Sequence, residues 1–468
     1  MRVHRWVVWG LFILALTLRF GFGSLAASIL PTIEGGSQPQ QAGYLFYDAY
    51  HRDLQAYELA ASDQSLINAF NQKSSSDQYG GMLWFMAFIY RVFGGPHQPL
   101  VPQFFISLIG ASGIFFIFSA ASRLFSEKTA MVAALAFALY PESILLGSSQ
   151  MREPLLITFS AMTAYAITRK VSEKYSAIIW SAIALIGSLF VSPGIAILLL
   201  ILLAGWLIID RFGTKLELRT VLIVVGLFSL FLLVGLAFLV FSWQKLGESS
   251  GLGIVGEWAR RTTLYNAYLL KQSSGIVQVV VGSLPSGFVL PFVVIYGTIQ
   301  PVLPAILFEP GETFWKFVGF FRSAGWYLLL PIILSVPFDR VLPESRKERL
   351  KWLWIFSISV FWILLAATRG GGDQWDNPRY RTILLPFFIL LACLVIQSGL
   401  FLKGQWSRKI VLIELSSLAV FTHWYSWRYT GFGYDLGIRN TILLALVLAL
   451  GIAFGDIMIR KFRILLRL

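Results

Sequence analysis

Long uncharged apolar runs separated by short basic connections dominate the chain. Runs such as 229–241 and 441–454 extend into apolar stretches of about 20 residues, enough to cross a hydrocarbon core roughly 30 Å thick. Because the runs are continuous and do not alternate apolar with polar residues, they predict helices and not barrel strands. Spans fall at 6–30, 99–123, 128–147, 153–169, 175–192, 194–210, 219–242, 286–308, 321–338, 351–368, 381–402, 409–427 and 437–459. Basic residues gather in alternate connections, as at Arg169, Lys170 and Lys174 or Lys403, Arg408 and Lys409, and at both termini. The positive-inside tendency puts these connections and both ends in the cytoplasm. Two ends on one side require an even number of crossings, so the pattern predicts an all-α polytopic membrane protein of about 12 transmembrane helices. The segment 285–308, interrupted by Pro291, Pro301 and Pro304, is expected to be re-entrant or interfacial, with its irregular backbone buried or facing water.

Two connections on the opposite side are long, 31–98 and 243–320, within what otherwise reads as a single transmembrane domain over 1–468. The first predicts an amphipathic helix over Tyr47–Ala61 and an aromatic helix over 82–93, too short to span and suited to lie along the interface. The N-terminal apolar region is longer than the h-region of a secretory signal, so an uncleaved first helix is expected. Composition agrees: 57% of residues are hydrophobic and 13% charged, which excludes a soluble fold. The net charge of +14 lies in loops and reads as topology, not as a nucleic-acid surface. The single cysteine, Cys393, allows no intramolecular disulfide. No nucleotide-binding glycine loop is present, which argues against an ATP-driven transporter, and the four histidines lack zinc-ligand spacing.

Three charged stretches carry candidate chemistry. In the Tyr47–Ala61 helix, Asp53, Tyr57 and Ala60 share a face, and a carboxylate beside an aromatic ring at the membrane surface suits a general base. Asp48 competes for that role, or pairs with Arg52 one turn on. Asp77 reads as a turn residue. In Arg152-Glu153-Pro154, proline and the acid suit a helix start, whereas Arg152 opposes the helix dipole and calls for an anionic ligand or an acidic neighbour. In Asp376-Asn377-Pro378-Arg379-Tyr380-Arg381, Asn377 and Pro378 are expected to cap a helix that starts at 379, whose arginines favour a phosphate or snorkel toward headgroups. Lys245, Arg260, Arg261 and Lys271, in the second long loop, read as headgroup contacts.

An acid, a tyrosine four positions later and then small residues, in the first loop after the first membrane helix, resembles the GT-C glycosyltransferases. These include the protein O-mannosyltransferases and lipid A aminoarabinose transferases. Arg152-Glu153-Pro154 and the late Arg379-Tyr380 with Pro386 resemble further motifs of that superfamily. The family's usual histidine before the Arg-Tyr pair is missing, with Asp376 and Asn377 in its place. The resemblance implies that Asp53 is the catalytic base and that Glu153 lies at the active site or on a metal. A divalent cation held by Asp53 and Glu153 is compatible with oxygen ligands, though no cofactor is certain.

The expected activity is inverting transfer of a hexose or pentose from a polyprenyl-phosphate-sugar donor to a glycan, lipid or protein acceptor, outside the cytoplasm of a bacterial inner membrane. Tyr57, Arg152, Glu153, Arg379, Tyr380 and Arg381 would bind substrate, membrane lipids would be partners, and nucleic acid would not. An O-antigen-type polymerase or ligase, or a transporter of lipid-linked sugars, is the alternative. Helix centres nearly free of charge favour the enzyme over the transporter.

Overall fold

The computed structural model describes residues 5–70, 79–169, 171–213, 277, 280–282, 284–338 and 340–465. The predicted span 219–242 and the residues Asp77, Lys170, Lys245, Arg260, Arg261 and Lys271 lie outside the described residues. Among the described residues every regular element is helical, and the protein is an all-α membrane protein with several apolar helices. Eight described helices are long and apolar enough to cross a membrane, or nine if one bent pair is a single span.

The chain divides into two compact units, one comprising Met1–Gly213 with Arg379–Cys393 and the other Thr214–Pro378 with Leu394–Leu468. The first unit opens with α1 (Arg5–Ile29) and the short α2 (Gln38–Gln41), followed by α3 (Tyr47–Ala61) and α4 (Gly81–Phe93). The two helices expected in the first long connection thus form, α3 with the expected bounds. They pack on each other, with Ala49, Ala56 and Leu59 of α3 and Met82, Met86 and Ile89 of α4 buried. Then come α5 (Leu100–Leu124), α6 (Glu127–Leu139), α7 (Pro141–Gly147), α8 (Glu153–Ile167), α9 (Lys174–Val191) and α10 (Pro193–Phe212). Small residues set the spacing at α5, as is usual where membrane helices approach closely without a hydrophobic drive between them. A Cβ on Gly113 would stand 2.5 Å from the Phe137 ring of α6, and one on Gly110 3.3 Å from Pro154 of α8.

The predicted span 128–147 is broken. α6 and α7 meet at Tyr140–Pro141 with a bend of 50°, because Pro141 has no N–H to continue the ladder. The carbonyls exposed at the break are taken by Arg19, fully buried in α1. Its guanidinium donates to Phe137 O (3.2 Å), Ala138 O (3.4 Å), the Ser143 hydroxyl (2.8 Å) and, within its own helix, Ala15 O (3.1 Å). A cation at a helix C-terminus also matches the dipole. Arg19 is therefore an exception to the expectation that helix centres are nearly free of charge.

The second unit contains α11 (Ser286–Ile299), α12 (Leu303–Phe308), α13 (Thr313–Leu334) and α14 (Arg346–Gly370). The segment expected to be irregular is interrupted between α11 and α12 around Gln300–Pro301. Gln300 Nε2 donates to Gly372 O (2.8 Å), and Ser323 of α13 donates to Pro301 O (3.0 Å), so buried polar groups at the break are satisfied by side chains. After α14 the chain turns through 371–375 into α15 (Asp376–Arg381), a 3-10 turn over Thr382–Leu384 and α16 (Leu385–Ser398). The helix starts three residues before the expected 379. Asn377 does not cap it: its amide donates to Gly371 O (2.6 Å) and Asp373 O (2.9 Å). The turn into the helix is made by Asp373, whose Oδ1 accepts from the N–H groups of Trp375 and Asp376, both at 2.6 Å. The second unit ends with α17 (Gln405–Thr430) packed on α18 (Gly437–Leu465).

Candidate active site

The first unit gathers two carboxylate clusters along α3. The first is centred on Asp53, which is wholly buried. Its Oδ2 accepts from the Tyr44 hydroxyl (2.7 Å) and contacts His97 Nε2 (2.6 Å), while Oδ1 accepts from the Tyr90 hydroxyl (2.7 Å). Tyr44 leads into α3, Tyr90 ends α4, and His97 follows a turn in which Gly94 and Gly95 take positive φ. Burial first, then the charge of Asp53, pushes both phenols well above their ordinary range, so they remain neutral donors. Tyr57 joins the same cluster, its ring 4.8 Å from that of His97 and 5.4 Å from that of Tyr90. The expected shared face of Asp53 and Tyr57 is thus realised as an aromatic cage around a saturated carboxylate.

The second cluster is centred on Arg379. Its Nε donates to Glu153 Oε1 at 2.7 Å and its Nη1 to Asp48 Oδ2 at 3.0 Å, so one guanidinium spans two acids from α3 and α8. The Asp48 side chain is 36% exposed, whereas those of Glu153 and Asp53 are fully covered. Arg152 Nε stands 3.7 Å from Glu153 Oε1, and its guanidinium lies 5.5 Å from the Tyr79 ring. This answers the charge left unexplained at the start of α8: Arg152 has an acidic neighbour and an aromatic face. Arg52 is buried, donates to Gln150 O (2.8 Å) and acts electrostatically on Glu153. Gln150 in turn donates to Pro99 O (2.8 Å), which ties the loop before α8 to the start of α5. Arg381 is buried, and the Arg379 guanidinium lies 5.4 Å from the Tyr380 ring.

Asp48, Arg152, Glu153 and Arg379 therefore converge, while Asp53 and Tyr57 belong to the neighbouring cage. The guanidinium groups of Arg379, Arg152 and Arg52 all act on Glu153, and Arg379 also reaches the partly open Asp48. Guanidinium groups gathered in this way favour an anion. A divalent cation at Glu153 would meet guanidinium groups, and the two oxygens of Asp53 are already engaged by Tyr44, Tyr90 and His97. Among the described residues no three acidic, histidine or cysteine side chains group as metal ligands. Sequence reasoning missed Tyr44, Tyr90 and His97 as partners of Asp53. The only local signal was the Gly94-Gly95-Pro96 turn that delivers His97.

Residues 81–241 match the family described as dolichyl-phosphate-mannose-protein mannosyltransferase, a GT-C family, in line with the resemblance, though the Arg379-Tyr380 motif lies beyond the match. The match spans α4 to α10, including Arg152-Glu153-Pro154, and begins after α3, so Asp48 and Asp53 lie outside it. The chain is also similar to the archaeal oligosaccharyltransferase AglB from Archaeoglobus fulgidus, whose structure holds an inhibitory peptide and a dolichol-phosphate. Identity is 14% and the TM-score 0.42, with 95% of this chain and 54% of that chain covered. No curated protein sequence matches significantly.

Proposed function

We propose that the protein is a glycosyltransferase that moves a sugar from a polyprenyl-phosphate carrier to a hydroxyl-bearing acceptor on the extracytoplasmic side of its membrane. The observation that carries this reading is the Arg379 guanidinium bridging Asp48 and Glu153, with Arg152 and Arg52 alongside. A polyprenyl-phosphate donor leaves as an anion, and fixed guanidinium groups stabilise the charge that grows on it. The acceptor oxygen must lose a proton as it attacks, which calls for a carboxylate that a substrate reaches.

Of the two acids in the first loop, Asp48 has that access and Asp53 does not. We assign the base to Asp48, and to Asp53 the positioning of α3 through Tyr44, Tyr90 and His97. Glu153 orients Arg379 by accepting from its Nε. In one displacement the acceptor O–H gives its proton to Asp48, the new C–O bond forms at the anomeric carbon, and the bond to the phosphate oxygen breaks with its electron pair leaving on the phosphate. That path inverts the anomeric centre.

Transfer of radiolabelled sugar from polyprenyl-phosphate donors by purified Asp48→Asn and Arg379→Ala protein is the test. Both variants are expected to lose transfer by about a hundredfold or more. Full activity in Asp48→Asn sinks the assignment of the base and favours a polymerase or ligase that relies on arginine alone. Mass spectrometry of the lipid-linked sugars that accumulate when the protein is removed identifies the donor.

A further inference from the structure

A second constellation lies wholly within the second unit, among α11, α12 and α17. Its floor is apolar, with Val302, Ala305, Trp424 and Tyr425 buried. Two near-parallel ring pairs stand on it: Phe292 with Tyr296, 5.9 Å apart at 17°, and Tyr425 with Tyr429, 6.2 Å apart at 12°. Glu309, at the C-cap of α12, closes one side, its Oε1 accepting from the Tyr429 hydroxyl at 3.3 Å. Tyr425 is 3% exposed and faces Tyr296, Tyr327 and Glu309, yet its hydroxyl has no hydrogen bond to a described residue, nor has the second oxygen of Glu309. Neither oxygen is sealed off, so each is open to a hydrogen bond from a ligand. Arg428 edges the cluster, its guanidinium 5.4 Å from the Trp424 ring and 5.7 Å from the Tyr429 ring.

We infer that Glu309, Tyr425, Tyr429 and Arg428 form a binding site for a neutral saccharide unit. A pyranose offers C–H faces that pack on aromatic rings, and hydroxyls that donate to a carboxylate and accept from a phenol or guanidinium. The partnerless atoms, one hydroxyl and one carboxylate oxygen, match that mixed demand. A quaternary ammonium also seeks aromatic faces, but Arg428 repels it and it makes no use of the Tyr425 hydroxyl. A phosphate is opposed by Glu309. Saccharide binding at this site does not depend on the transferase reading.

The test is saturation-transfer NMR on the full chain in lipid nanodiscs free of glycoside detergent. The probes are methyl glucoside, methyl mannoside, methyl galactoside and N-acetylglucosamine, with choline alongside and inorganic phosphate added as a competitor. Saturation is expected to reach the ring protons of at least one saccharide. Tyr425→Phe, which keeps the ring, and Glu309→Gln, at the rim, are each expected to weaken binding about tenfold. Asp48→Asn should leave it unchanged, so a failed transferase reading and a failed saccharide site give different results. Absence of signal from every saccharide overturns the proposal, as does signal from choline alone or a signal that neither variant alters.

Discussion

At Arg379 the value of the residue lies in its planar fork, which reaches Glu153 through Nε and Asp48 through Nη1 at once. Lysine carries the charge but presents a single flexible point, so Arg379→Lys is expected to lower kcat by about a hundredfold with less change in KM, read in the same transfer assay. The Asp53 cage is a question of stability instead. Tyr44→Phe and Tyr90→Phe each remove a hydrogen bond to a buried carboxylate, worth about 1.5–3 kcal/mol, and thermal unfolding in nanodiscs should register each loss. Unchanged melting in both would mean that Asp53 does not hold α3 in place. Asp48, Arg152, Glu153 and Arg379 were legible in the sequence because each stands at the edge of an apolar run, where a charge calls for an explanation. The partners of Asp53 were not, since Tyr90 and His97 lie 37 and 44 residues away and look like ordinary interfacial aromatics.

Periodicity and hydropathy settle where the helices lie more readily than where they break. The amphipathic pattern of 47–61 was readable end to end, whereas the bend at Tyr140–Pro141 was hidden inside a continuous apolar run. Proline in such a run reads equally as an interruption or as the first turn of a new helix, and the difference rests on Arg19, more than a hundred residues upstream, which satisfies the carbonyls that the break exposes. Arg19→Leu is expected to destabilise the first unit by about 1–3 kcal/mol for each carbonyl left unsatisfied, measured by thermal unfolding, with Arg19→Lys restoring part of the loss. The early start of α15 has the same character: Asp373 supplies the turn, and nothing in the local pattern ranked it above Asn377.

For the whole molecule, the distribution of basic loops predicts sidedness. In a Cys393→Ala background, Ser345→Cys is expected to react with an impermeant thiol reagent only from the cytoplasm, and Asp63→Cys only from the opposite side; the reverse pattern would invert the topology and remove the proposed site from its donor. The number of helices was less legible than their nature, because short or bent elements such as α6, α7 and α8 blur the boundary between spanning and buried. The division of the chain also bears on biosynthesis. The first unit includes Arg379–Cys393, and Arg379 lies 226 residues beyond Glu153. While the ribosome is still adding residues after 213, the nascent N-terminal half holds a carboxylate in an apolar setting with its strongest counter-ion not yet synthesised. Maturation of that half therefore awaits a late segment of the polypeptide, and truncations that stop at 213 should be cleared by membrane proteases faster than chains that continue through 393.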